Sequence, residues 1–103
     1  MRYFYYVIFL FLLINISCEK NQSNLIEIGF SQCTSNSNWR KSMNYSMQVQ
    51  ASVYSNVELS IYDSEDSPEK QIKDIEQMIE DKVDIIIVSP LEPNLIVDVL
   101  EKA

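Results

Sequence analysis

At 103 residues the chain is long enough for one small domain at most, and eight basic against fifteen acidic residues leave it a formal charge of −7. That balance excludes a basic nucleic-acid face, and the absence of histidine removes the commonest general base and transition-metal ligand. A single glycine, Gly29, excludes a glycine-rich phosphate loop; no catalytic residues, cofactor or metal are expected.

Residues 1–18 differ in character from the rest of the chain. Met1 and Arg2 give a short positive start, and Tyr3 to Ile14 is an unbroken apolar run. Twelve such residues in a helix reach about 18 Å, short of the roughly 30 Å hydrocarbon core, which suits the apolar region of an export signal. Ser17 followed by Cys18 resembles a lipobox, with Cys18 as the acylated residue, although Asn15 stands where leucine is usual. An uncleaved anchor extending through Ile16 is the alternative. Either places the remainder outside the cytoplasmic membrane, in the periplasm, and Glu19 to Asn24 reads as a tether. Cys33 would pair with Cys18 only if Cys18 carries no lipid. With no histidine to activate it, Cys33 is expected to be a small residue packing its loop rather than a nucleophile.

From residue 25 the chain alternates strand and helix. Leu25 to Phe30, LIEIGF, predicts a strand that runs into a polar loop. Ser37 or Asn38 then caps a helix from Trp39 to about Tyr54. Trp39, Met43, Met47, Ala51 and Tyr54 recur at helical spacing and predict its core stripe. Val57 to Tyr62 alternates as a second strand, and Asp63 to Ser67 is an acidic loop. It lacks the glycine turn and distal glutamate of a calcium loop. Ser67-Pro68-Glu69 is a strong helix start, and Ile72, Ile75, Met78 and Ile79 form the apolar side of that second helix. Val83 to Val88, centred on DIIIV, is β-branched but for Asp84 and has the habit of a central strand buried on both faces. Pro93 opens a third helix, with Leu95, Ile96, Val99 and Leu100 on its apolar side.

The order β-α-β-α-β-α predicts an α/β fold, the start of a parallel three-layer sheet with right-handed crossovers. Three strands leave such a sheet with open edges and incomplete cover, so residues 25–103 read as the opening part of a larger domain. In open parallel sheets ligands sit at the carboxyl ends of the strands, where the loop before Trp39 lies. A ring beside a fork of guanidinium donors suits a sugar, with its apolar faces and rim of hydroxyls. Two blander readings compete: Trp39 capping the core stripe, and Arg40 as a surface residue paired with Glu92 or Asp63.

Four stretches carry a family resemblance: IGFSQ at strand one, the aromatic start of helix one, YDSEDSPEKQIKDIEQMI across the second strand-helix turn, and DIIIVSPLEPN at strand three. In this order and spacing the chain resembles the type I periplasmic binding proteins, the ribose- and galactose-binding family. SQC followed by NWRKSM looks most like the periplasmic sugar-sensing domains of Bacteroidetes hybrid two-component histidine kinases and the free binding proteins close to them. The resemblance implies two α/β lobes closing on a carbohydrate without catalysis, and makes this chain the first part of lobe 1. It places ligand contacts at Gln32, Asn38, Trp39 and Arg40, with Ser89 and Glu92 as weaker candidates near the cleft. The implied partners are a small carbohydrate, the membrane through Cys18 or the anchor, and either a transporter permease or downstream kinase modules. The Asp-Arg contacts that the family places after a fourth strand have no counterpart. A sugar-responsive repressor of the same fold would need a DNA-binding segment where the export signal lies.

Overall fold

The computed structural model describes Met1 and residues 24–103; the predicted export segment, its Cys18 and residues 19–23 of the tether lie outside the described residues. Three strands alternate with three helices: β1 (Ile26–Gln32), α1 (Asn38–Ser52), β2 (Val57–Asp63), α2 (Pro68–Glu80), β3 (Ile85–Ser89) and α3 (Pro93–Leu100). All strand pairs are parallel and the order is β2-β1-β3, so both connections are crossovers. The alternation and parallel connectivity are those of the α/β fold expected from the sequence.

Register assigns the two faces of the sheet. Ile28, Leu59 and Ile85 align across the strands, as do Phe30, Ile61 and Ile87, and this face receives α1. On the opposite face Gly29, Ser60 and Ile86 align, and α2 and α3 cover it. The core lies there. Ile75, Ile96 and Val99 are buried together, with Ile72, Ile79 and Val88 packed against them. Each such side chain contributes roughly 1.5–3 kcal/mol of apolar burial. Leu95 and Leu100, expected on the same stripe of α3, stay 47% and 37% exposed and flank the contact rather than entering it.

The local signals of α2 act as their chemistry requires. Ser67 accepts the Lys70 N–H at 3.2 Å, Pro68 occupies the first turn and Glu69 faces the positive helix end. At the other end the Val83 N–H reaches the Met78 carbonyl at 3.2 Å and the Lys82 N–H reaches Ile79 at 3.1 Å. Lys82 takes φ 56° between them, which is a Schellman ending with a lysine where glycine is usual. The start of α1 is weaker. Ser37 is the N-cap, but its hydroxyl makes no capping bond and is buried without a partner.

Two expectations need correction. Among the described residues β1, not β3, is the central strand. An all-β-branched run signals burial, yet among the described residues β3 has a neighbour on one side only, and Ile85 and Ile87 remain 46% and 39% exposed. The helix α1 leans on β2 and leaves the β3 end of that face open, with an apolar groove of about 280 Å³ bounded by Met47, Tyr54, Leu59 and Ile87. Nor does the predicted stripe of α1 form a buried core: no residue of that helix is buried, and Trp39 stands outside the stripe at 59% exposure.

Candidate ligand-binding site

The carboxyl ends of β1 and β3 lie side by side, with Gln32 in register with Ser89. The loop from Cys33 to Ser37 rises from this edge and turns into α1, which brings Trp39 and Arg40 over the strand ends. Hydrogen bonds to the β2–α2 turn hold that loop. The Ser64 N–H donates to the Gln32 carbonyl at 2.9 Å, the Asp66 N–H to the Cys33 carbonyl at 3.0 Å, and Asn36 Nδ2 to Asp66 Oδ2 at 2.9 Å. Glu65 and Asp66 both adopt positive φ to make the turn. A loop stitched this way holds its side chains before any ligand arrives.

Arg40 is the hub. Its Nη1 donates to Gln32 Oε1 at 2.7 Å and to Ser89 Oγ at 3.1 Å. Its guanidinium carbon lies 4.5 Å from the centroid of the Trp39 ring, within the range of a cation–π contact. The expected pairing with Glu92 or Asp63 does not form; Arg40 bonds two neutral side chains instead. Trp39 offers a largely exposed ring with a cation on one side.

The other sequence-predicted residues divide. Gln32 is fully buried, so it meets the site from beneath. Ser89 is half-buried and bonded to Arg40. Asn38 opens α1 and is exposed, while Glu92 is the N-cap of α3, exposed, without a capping bond and without a hydrogen bond to the cluster. Cys33 is buried, with Sγ 3.8 Å from Gln32 Oε1 and 3.9 Å from Ser89 Oγ; its pairing with Cys18 lies outside the described residues.

Sequence reasoning passed over Asn44, Ser35 and the buried role of Gln71. Gln32 Nε2 donates to Asn44 Oδ1 at 3.1 Å, and Asn44 Nδ2 to Ser35 Oγ at 3.0 Å. Polar residues on the inward sides of otherwise apolar helix stripes were the available signal: Asn44 beside Met43 and Met47, Gln71 beside Ile72 and Ile75. Asp63 closes the network on the β2 side. Burial pushes its pKa up, but hydrogen bonds from the Glu65 N–H and from Ser35, with the charge of Lys70, outweigh this and hold it below the ordinary aspartate value. Among the described residues no group of histidine, cysteine or acidic side chains is arranged to hold a metal ion.

Several solved structures share this fold. The fructose-binding periplasmic domain of the hybrid two-component system BT1754 superposes with a TM-score of 0.71 at 29% identity, over 76% of this chain and 26% of that one. A galactofuranose-binding protein gives the same TM-score, identity and coverage. A Mycobacterium smegmatis protein in complex with β-D-fucofuranose gives 0.67 at 31% identity, over 75% of this chain and 25% of that one. The chain thus spans about a quarter of the length of the structures it matches. No curated protein matches. The model of the periplasmic binding protein domain matches residues 28–103, from within β1 through α3, and the chain belongs to that family.

Proposed function

We propose that this chain forms one wall of a carbohydrate site in a periplasmic binding protein, the solute-binding component of a sugar transporter. The observation that carries the reading is the pairing of an exposed Trp39 ring with a guanidinium fixed beside it at the strand ends. A sugar stacks its C–H face on the ring, and its hydroxyls take the donors of Arg40 and the amide of Asn38. Glu92 stands at the rim. The likeness to proteins described as binding fructose, galactofuranose and fucofuranose supports this class of ligand. The second lip of the cleft belongs to a partner lobe, and binding needs no chemistry on the ligand. Cys18 acylation, or an uncleaved anchor, would hold the domain at the membrane.

A second reading keeps the ligand and changes the output. The likeness to the sensor domain of a hybrid two-component system supports an input domain whose closure is read by kinase modules. A transmembrane segment followed by kinase modules in the same reading frame selects the sensor, and a second lobe followed by a stop selects the carrier.

Titration calorimetry of the periplasmic region with a panel of monosaccharides tests the ligand. Trp39→Ala is expected to weaken binding at least tenfold, about 1.4 kcal/mol. Unchanged affinity in that variant would remove the ring from the site, and no carbohydrate binding by the wild type would end the proposal.

A further inference from the structure

Two fully buried carboxamides support the guanidinium, one by a direct bond and one through Ser89. Gln32 and Gln71 are both fully buried, at the same end of the sheet and on opposite faces. Gln32 spends Oε1 on Arg40 and Nε2 on Asn44. Gln71 donates from Nε2 to Ser31 Oγ at 3.1 Å and to the Ser89 carbonyl at 3.0 Å, and its Oε1 accepts the Leu91 N–H at 3.0 Å. The two routes converge on Arg40 Nη1: Gln32 accepts from it directly, while Gln71 fixes the backbone of Ser89, whose hydroxyl takes the second bond. Nη1 is therefore saturated, while Nε and Nη2 make no hydrogen bond to the described residues. A guanidinium tied at one end has already lost its rotamer freedom, and its remaining edge is a preformed pair of parallel donors.

We propose that Gln32 and Gln71 are the positioning residues of this site. Gln32 directly, and Gln71 through Ser89, keep Arg40 stacked on Trp39 and present its Nε–Nη2 edge to two adjacent hydroxyls of a sugar. The identity of the ligand rests on the proposed function; the clamp is a property of the ligand-free protein. It moves Gln32 from the ligand to the support of the residue that meets the ligand.

Trp39 is the only tryptophan, so its fluorescence reports the stack with no sugar present. In the full chain, Arg40→Met sets the emission and acrylamide quenching of an unstacked ring. Gln32→Met is expected to move both readings to those values, and Ser89→Ala and Gln71→Met to move them part of the way. Gln32→Glu, which keeps an acceptor for Nη1, should retain the wild-type signal. Should Gln32→Met lose its helical circular dichroism, Ser89→Ala and Gln71→Met decide: wild-type emission in both, folded, overturns the clamp. So does an Arg40→Met signal indistinguishable from wild type. A protein that binds no carbohydrate yet shows the expected pattern would refute the proposed function and support the clamp.

Discussion

Gly29 lets Met78 of α2 approach the sheet closely, and Gly29→Ala tests whether that closeness matters. The residue sits in an extended strand with ordinary φ, so alanine meets no backbone penalty. Its Cβ would lie 2.7 Å from Met78 Sδ and 3.0 Å from Met78 Cγ, against an ordinary contact of about 3.5–4.0 Å. Met78 must retreat by roughly an ångström, and it is fully buried. Overpacking of this kind costs about 1–3 kcal/mol, toward the low end because methionine bends. Loss of glycine's unfolded freedom returns about 0.5–1 kcal/mol. The expected net is about 1 kcal/mol of destabilisation, read from urea denaturation followed by circular dichroism. Met78→Val removes the obstruction, so Gly29→Ala in that background should be neutral or stabilising, a coupling of about 1 kcal/mol. A Gly29→Ala protein more stable than wild type, with the pair strictly additive, would refute the reasoning.

Ile75→Ala, at the fully buried centre of the α2–α3 contact, is expected to cost about 2–5 kcal/mol by the same denaturation assay. Lys82→Gly should stabilise by about 1 kcal/mol, because Lys82 holds the left-handed ending of α2 at φ 56°; a lower urea midpoint would count against the Schellman assignment. Asp63, whose carboxyl is held below its unfolded pKa, binds its proton less readily when folded. Its stabilisation is present above the ordinary value of 3.8 and is lost as pH falls through the folded one. Denaturation midpoints of wild type and Asp63→Asn should therefore converge on acidification, and a gap that widens toward low pH would reverse the sign.

The alternation of strand and helix was legible because each boundary carried its own chemistry. Ser67-Pro68-Glu69 and Pro93 announce helices, and the valine and isoleucine runs announce strands. Burial was less legible. The run through Ile85–Val88 says that a strand is apolar, but not which neighbours lie beside it, and strand order is a property of the crossovers rather than of any one segment. The stripe on α1 has the period of a core helix, yet a helix that leans on one edge strand buries little of it. At the site, Trp39 and Arg40 could be picked out because an aromatic and a guanidinium at a strand-to-helix turn are unusual chemistry. The pairing of Arg40 with Gln32 and Ser89 could not be read, because those partners are eight and forty-nine residues away and a neutral acceptor leaves no charge pattern. Gln71 lies within the apolar arc of its helix, between Met78 and Ile75, which marks it as buried but not which groups it bonds.

The open edge of β3 has a consequence for handling the molecule. Its outward N–H and C=O groups are flanked by isoleucine and valine, with no charge between Ile85 and Ser89. An edge of that kind recruits other extended chains. The free edge of β2, by contrast, is guarded by Glu58 and Asp63. A right-handed crossover through α3 would lay a further parallel strand on the unguarded side, so the same surface invites either correct continuation or aggregation. Expression boundaries drawn soon after β3 therefore set solubility as much as folding. Ile87→Lys, which places a charge on the strand without touching the α2–α3 core, is the simplest guard when the segment is produced alone.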